Sequence, residues 1–143
     1  MKKLLLIVLF FGLQFLNAQS NFDEKLVGEH MISLQWISWD YFGKAMVTKT
    51  ENPNEYTING AQKSKENADY LKIDGTLKVT SLNELVFTGI IETSVSFIND
   101  GEACKRNGIF KFKAKGKRKY WRLNNINNPC DQVADYVDIY FKQ

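Results

Sequence analysis

Apolar and polar residues alternate along most of this chain, and few segments show the three-to-four-residue spacing of an amphipathic helix. In the clearest segment, the apolar residues at alternate positions are Leu71, Ile73, Leu77 and Val79. Charged or polar side chains lie between them, and a similar alternation follows over residues 85–97. Strict alternation is typical of a β-strand with one buried face. The pattern therefore predicts an all-β protein.

Two long segments each have a glycine near the middle, Gly75 and Gly89. A hairpin turn at Asp74-Gly75 is the alternative for the first of them, but it would place Leu71 opposite Lys78 and mix apolar with charged residues on both faces. The unbroken alternation favours a single long strand in which the glycine allows a bend. Two successive bent strands favour a closed barrel over a flat sandwich.

In total, the alternation predicts eight strands with short connections, so that neighbouring strands are antiparallel. The predicted segments are 29–37, 44–49, 55–59, 70–79, 85–97, 104–115, 118–124 and 137–141. Residues 20–26 are predicted to form one helical turn. The fold that follows is an eight-stranded antiparallel up-and-down barrel, with a β-sandwich as the alternative.

The segment around Gly116-Lys117 predicts a hairpin with a two-residue turn that begins with glycine. This register places Phe112 opposite Trp121 and Phe110 opposite Leu123, so that apolar residues meet on one face. Basic residues then share the other face.

The N-terminus has the pattern of a secretory signal peptide. Lys2 and Lys3 precede an apolar run, and the small residue Ala18 offers a cleavage position. A membrane anchor is the alternative, but the apolar run over residues 4–16 is shorter than the roughly 20 residues that a spanning helix needs. We predict a signal peptide over residues 1–18, a single barrel domain over 19–143, no transmembrane span after signal removal, and a secreted or periplasmic location.

The positive charge of the chain is concentrated in one segment. Between Glu102 and Arg122, nine basic residues accompany one acidic residue, whereas the rest of the predicted mature chain is acidic. The predicted anion-binding residues are Lys111, Lys113, Lys115, Arg118 and Arg122. An anionic polysaccharide or an acidic protein is the expected partner, and nucleic acid is not expected for an exported protein. The alternative is a solvated strand face whose lysines prevent edge pairing.

Cys104 and Cys130 are the two cysteines of the chain, and His30 is its one histidine. Two cysteines in an oxidising compartment are expected to form a disulfide. A zinc site would need more cysteine or histidine ligands, so we predict neither a metal nor a cofactor. No nucleophile or carboxylate motif accompanies His30, and we expect a protein that is not an enzyme.

Four aromatic residues lie close together after the first predicted strand: Trp36, Trp39, Tyr41 and Phe42. At the mouth of a barrel such rings cover an apolar ligand or stack on a sugar. They are the predicted ligand-binding residues. The alternative is a loop that plugs one end of the barrel.

The chain resembles the lipocalin-like (calycin) barrels, whose first strand often opens with a Gly-x-Trp motif. Gly28-Glu29-His30 occupies the equivalent place, with His30 where the tryptophan would stand, and Arg122 corresponds to the arginine that covers it. The resemblance implies a cup that holds a small apolar ligand. Our leading hypothesis is thus an exported binding protein with its ligand inside the barrel. The alternative is a surface interaction module that uses its basic hairpin.

Overall fold

A computed structural model describes residues 22–143 and shows a closed antiparallel barrel of eight strands. The predicted fold is therefore confirmed in preference to the sandwich. The strands are β1 Gly28–Leu34, β2 Gly43–Lys49, β3 Glu55–Lys63, β4 Tyr70–Ser81, β5 Glu84–Ser94, β6 Cys104–Lys113, β7 Tyr120–Leu123 and β8 Val137–Tyr140. Residues 22–26 form the predicted helical turn. The predicted signal peptide lies outside the described residues.

Each strand pairs with the next along the chain, and β1 pairs with β8 to close the barrel. Because consecutive strands alternate in direction, the connections fall at two opposite ends. The disulfide end, as we call it, carries the connections 35–42, 64–69, 95–103 and 124–136. The basic end carries residues 50–54, 82–83 and 114–119, together with the helical turn and the end of β8. Within residues 22–143, no helix has the length and hydrophobicity that a membrane crossing requires.

Side chains fill the interior of the barrel. The largest fully buried ones include Tyr56, Phe87 and Phe112, surrounded by leucine and isoleucine from most of the strands. Leu71, Phe87 and Phe112 are 0% exposed, so no void large enough for a water molecule borders them. At these positions side chains occupy the space that the expected cup for a small apolar ligand would need. Small barrels are often packed in this way.

Gly75 and Gly89 face each other across β4 and β5, and Gly89 has a positive φ of 156°. A Cβ atom on Gly75 would lie 2.3 Å from the Thr88 carbonyl oxygen and 2.8 Å from the ring of Phe87. The missing side chains let the ring of Phe87 lie close to the backbone of both strands. The prediction of one long strand through each glycine is confirmed.

The β6–β7 hairpin differs from the predicted register. Phe112 pairs with Leu123 and Lys113 with Arg122, a shift of two residues, so the predicted Phe112–Trp121 and Phe110–Leu123 pairs are wrong. Beyond Lys113 the chain stays beside β5, because the Ala114 amide donates to the Asn83 carbonyl oxygen at 2.9 Å. The turn itself is at the predicted place.

Gly116 has a φ of 59° in that turn, and the Arg118 amide donates to the Lys115 carbonyl oxygen at 3.3 Å. A two-residue shift in register keeps every side chain on its original face. Phe112, Trp121 and Leu123 therefore still point inward, as the alternation predicted.

Candidate functional site

The four predicted ligand-binding aromatics follow β1 at the disulfide end, but they do not converge on one pocket. The Trp36 indole donates to Asp135 Oδ1 at 3.0 Å and meets Phe97 edge to face. The Tyr41 hydroxyl accepts a hydrogen bond from the Lys65 amide at 3.0 Å. Both residues thus contact other connections at this end of the barrel. Such contacts are what the alternative prediction, a loop that plugs one end of the barrel, would require.

Trp39 and Phe42 are the more exposed members of this group, at 50% and 38%. The ring of Phe42 lies 5.0 Å from the ring of Tyr140, on the outer wall of the barrel. Trp36 and Phe42 therefore contact different parts of the barrel.

A buried polar network and a disulfide fix the 124–136 connection over this end. Arg106 Nη2 lies 2.7 Å from Asp135 Oδ2, and both side chains are almost fully buried. Asp135 also accepts a hydrogen bond from Asn128, and Arg106 donates to the Asn125 carbonyl oxygen. Because each partner is satisfied within the network, its polar groups are not available to a ligand.

Cys104 and Cys130 form the predicted disulfide, which is confirmed. It joins the first residue of β6 to the 124–136 connection, next to the Arg106–Asp135 ion pair. In the part of the chain that the structure describes, no cluster of three His, Cys, Asp or Glu side chains could hold a metal ion.

Three of the five predicted anion-binding residues already have acidic partners. Lys111 Nζ lies 3.4 Å from Glu84 Oε1, and Lys113 Nζ lies 3.8 Å from Glu84 Oε2. Arg122 makes two hydrogen bonds of 2.8 Å to the carboxylate of Asp138. The potential of the strand face is therefore lower than the number of its basic residues suggests.

The Arg122–Asp138 pair is a structural element of the outer wall. The guanidinium lies over the rings of Tyr120 and Tyr136, at 5.0 and 4.3 Å from their centres, and Asp138 is 0% exposed. The hydrogen bonds to Asp138 raise the pKa of Arg122 above its usual value. Arg122 does not cover His30, which points into the barrel beside Trp121.

The remaining two predicted residues, Lys115 and Arg118, lie in the β6–β7 turn together with two cations that were not predicted. We define the basic turn by its four exposed basic side chains, Lys115, Lys117, Arg118 and Lys119. None of them forms a salt bridge with another described residue. The sequence prediction chose basic residues that share one strand face, and it therefore omitted Lys117 and Lys119. The alternation of faces along a strand does not apply within a turn. The feature of the sequence that could have identified them is the presence of four basic residues within five positions.

Among the carboxylates of the wall, Glu92 is engaged by Tyr70 and Lys105. The Tyr70 hydroxyl donates to Glu92 Oε1, and Lys105 Nζ lies 3.7 Å from Glu92 Oε2. The hydrogen bond from Tyr70, with the nearby lysines, holds the pKa of Glu92 below its usual value. Glu92 is therefore a charged partner on the wall and not a proton donor at neutral pH.

Comparison with known proteins places this sequence among relatives without an assigned activity. It is 43% identical to an uncharacterised protein, PM1083, of Pasteurella multocida strain Pm70, over 122 residues that cover 85% of this chain and 77% of the relative. No solved structure matches it. The likeness to lipocalins that is shown is the closed barrel. Residues 15–141 match the PM1083 family, and the chain belongs to that family.

Proposed function

We propose that this protein is an exported binding module that holds an anionic polysaccharide at the basic turn. The observation that carries the proposal is the exposure of four cations, Lys115, Lys117, Arg118 and Lys119, without an acidic partner among the described residues. A small apolar ligand inside the barrel is not part of the proposal, because the interior is filled. The role is binding and not catalysis.

The charges of the basic turn are positioned to act together. Cations on neighbouring positions of one exposed turn add their potentials, and their attraction for an anion is screened least at low salt. The Arg118 guanidinium lies 5.7 Å from the centre of the Tyr120 ring, which supports one side of the turn. A polymer with repeating anionic groups can contact several of these closely spaced cations at once.

Export is supported by two independent features. The N-terminal residues have the basic start and apolar run of a signal peptide. The Cys104–Cys130 disulfide is typical of proteins that fold in an oxidising compartment. A polysaccharide is the anionic polymer that an exported protein meets most readily.

Retention on immobilised heparin tests the proposal. A variant with Lys115, Lys117, Arg118 and Lys119 changed to Gln should elute at much lower salt than the parent, because the interaction depends on the charges of the turn. The matched control changes four exposed lysines elsewhere to Gln, namely Lys63, Lys65, Lys72 and Lys78. It alters net charge equally and should elute close to the parent.

Equal elution of the parent and the turn variant would contradict the proposal, as would a lack of parental retention at low salt. Equal loss in the turn variant and the control would also contradict it, because net charge and not the turn would then govern binding. The same experiment with an immobilised acidic protein in place of heparin distinguishes a protein partner from a polysaccharide. Retention on that resin alone would replace the polysaccharide with a protein.

A further inference from the structure

A surface cleft of about 380 Å³ opens at the basic end of the barrel. Three segments form its walls: residues 24–25 of the helical turn, residues 82–83 between β4 and β5, and residues 141–142 after β8. Trp121 of β7 lies at its floor. This volume is at the lower end of the range found for small-molecule sites, about 300–1,000 Å³.

The floor of the cleft is aromatic and held in a fixed orientation. The rings of Trp121 and Phe141 meet edge to face with their centres 4.4 Å apart. The Trp121 indole donates to the Leu82 carbonyl oxygen at 2.7 Å, which joins the floor to one wall. Phe141 is half-buried, so part of this apolar surface remains open to a ligand.

The rim of the cleft carries two lysines and one carboxylate. Lys25 and Lys142 lie on different walls, and Glu24 is the acidic residue among the lining. Lys142 Nζ donates to the Val27 carbonyl oxygen at 2.7 Å, which holds the ammonium group at the rim. Two cations against one anion give the rim a positive balance.

The basic turn adds to this potential without lining the cleft. The Phe141 amide donates to the Lys119 carbonyl oxygen at 2.8 Å, and the Ala114 amide donates to the Asn83 carbonyl oxygen. These bonds place both ends of the turn next to walls of the cleft. An anion that approaches the rim therefore meets a positive surface around it.

His30 joins the two walls that carry the lysines. One ring nitrogen lies 2.7 Å from the carbonyl oxygen of Leu26, at the end of the helical turn, and the other lies 2.7 Å from that of Tyr140 in β8. Both partners are backbone carbonyl oxygens, so the ring links the helical turn to the end of β8. The buried side chain of His30 thus fixes the positions of these two walls relative to each other.

From this arrangement we propose that the cleft binds a small amphipathic anion: a flat apolar body against the exposed part of Phe141, which Trp121 supports from behind, and a carboxylate between Lys25 and Lys142. The site differs from the proposed polysaccharide site, because none of the four cations of the basic turn lines the cleft. It also differs from a ligand cup, because the ligand lies outside the filled interior. Charge complementarity at the rim selects an anion over a neutral molecule of the same shape.

The test uses 2-naphthoate and its neutral analogue 2-naphthamide as probes of the full chain after signal removal. Amide NMR spectra should show shifts with 2-naphthoate at residues 24–25, 82–83, 121 and 141–142. Calorimetry or the same titration should give an affinity for 2-naphthoate about tenfold greater than for 2-naphthamide. A Lys25→Gln/Lys142→Gln variant should remove most of this difference while 2-naphthamide binds as before.

Two controls distinguish this site from the polysaccharide site and from a general effect of charge. The Lys63→Gln/Lys65→Gln variant changes the same number of charges at the other end of the barrel and should bind 2-naphthoate like the parent. The four-Gln variant of the basic turn should keep the shifts at the cleft even if heparin retention is lost. Shifts confined to other residues, no shifts, or equal affinities for the two probes would overturn the proposal.

Discussion

At the scale of single residues, the buried polar side chains determine how the strands and connections meet. Gln62 is 0% exposed and accepts a hydrogen bond from the Leu34 amide, while its own amide group donates to the Tyr41 carbonyl oxygen. Arg106 and Asp135 make a buried ion pair. No buried side-chain nitrogen or oxygen atom within residues 22–143 lacks a hydrogen-bond partner. These side chains therefore add specificity to a core that is otherwise apolar.

Changing Asp135 to Asn should destabilise the protein strongly. The substitution keeps the size of the side chain but leaves the buried guanidinium of Arg106 without its counterion, which costs about 3–5 kcal/mol in comparable pairs. Urea unfolding, followed by circular dichroism with the disulfide intact, would measure the loss.

The matched control for this prediction is Glu29→Gln, because Glu29 forms an ion pair with Lys44 on the exposed wall. The same chemical change there should cost less than about 1 kcal/mol, since exposed pairs contribute little. If the two variants unfold at the same urea concentration, the Arg106–Asp135 pair does not have the role assigned to it.

At the scale of strands, the alternation of apolar residues was sufficient for much of the fold. It predicted the number of strands, their order and the inward side of β6 and β7. It did not predict the register of the β6–β7 hairpin, because a shift of two residues leaves each side chain on the same face. The hydrogen bond from Ala114 to Asn83 extends the pairing with β5, and that contact joins residues far apart in sequence.

Gly75 offers a direct test of how the long strands bend. Replacement by Ala would put a methyl group 2.3 Å from the Thr88 carbonyl oxygen, so the backbone or Phe87 must move. Forced packing of this kind costs about 1–3 kcal/mol. The measurement is the midpoint of urea unfolding relative to the parent.

Thr76→Ala is the control for this substitution, because it places the same side chain at the next position of β4. Thr76 pairs with Thr88 and is half-buried, so its replacement should change the free energy of unfolding by less than about 1 kcal/mol. A larger loss for Thr76→Ala than for Gly75→Ala would show that the close approach of β4 and β5 is not what glycine provides.

At the scale of the whole molecule, the two ends of the barrel have different characters. The disulfide end is covered by the 124–136 connection, with its buried ion pair and disulfide. The basic end carries the basic turn and the cleft. The sequence predicted the disulfide and the concentration of positive charge. It could not predict that Glu84 and Asp138 neutralise part of that charge, because those contacts depend on neighbouring strands.

Removal of the disulfide should weaken the molecule globally and loosen the disulfide end locally. Cys104 and Cys130 are 26 residues apart, and closing a loop of that size stabilises the folded state by about 3.5 kcal/mol. The Cys104→Ser/Cys130→Ser variant should therefore lose about that free energy of unfolding. Reductant should destabilise the parent by a similar amount and leave the variant unchanged.

Hydrogen exchange separates the two contributions that hold the 124–136 connection. If the disulfide restrains it directly, its amides should exchange faster in the Cys104→Ser/Cys130→Ser variant than global destabilisation explains, while amides at the centre of β4 and β5 follow the global value. If the Arg106–Asp135 pair holds the connection alone, exchange there should change only in step with the rest of the barrel. An unchanged urea midpoint in the variant would contradict the stabilising role of the disulfide at both scales.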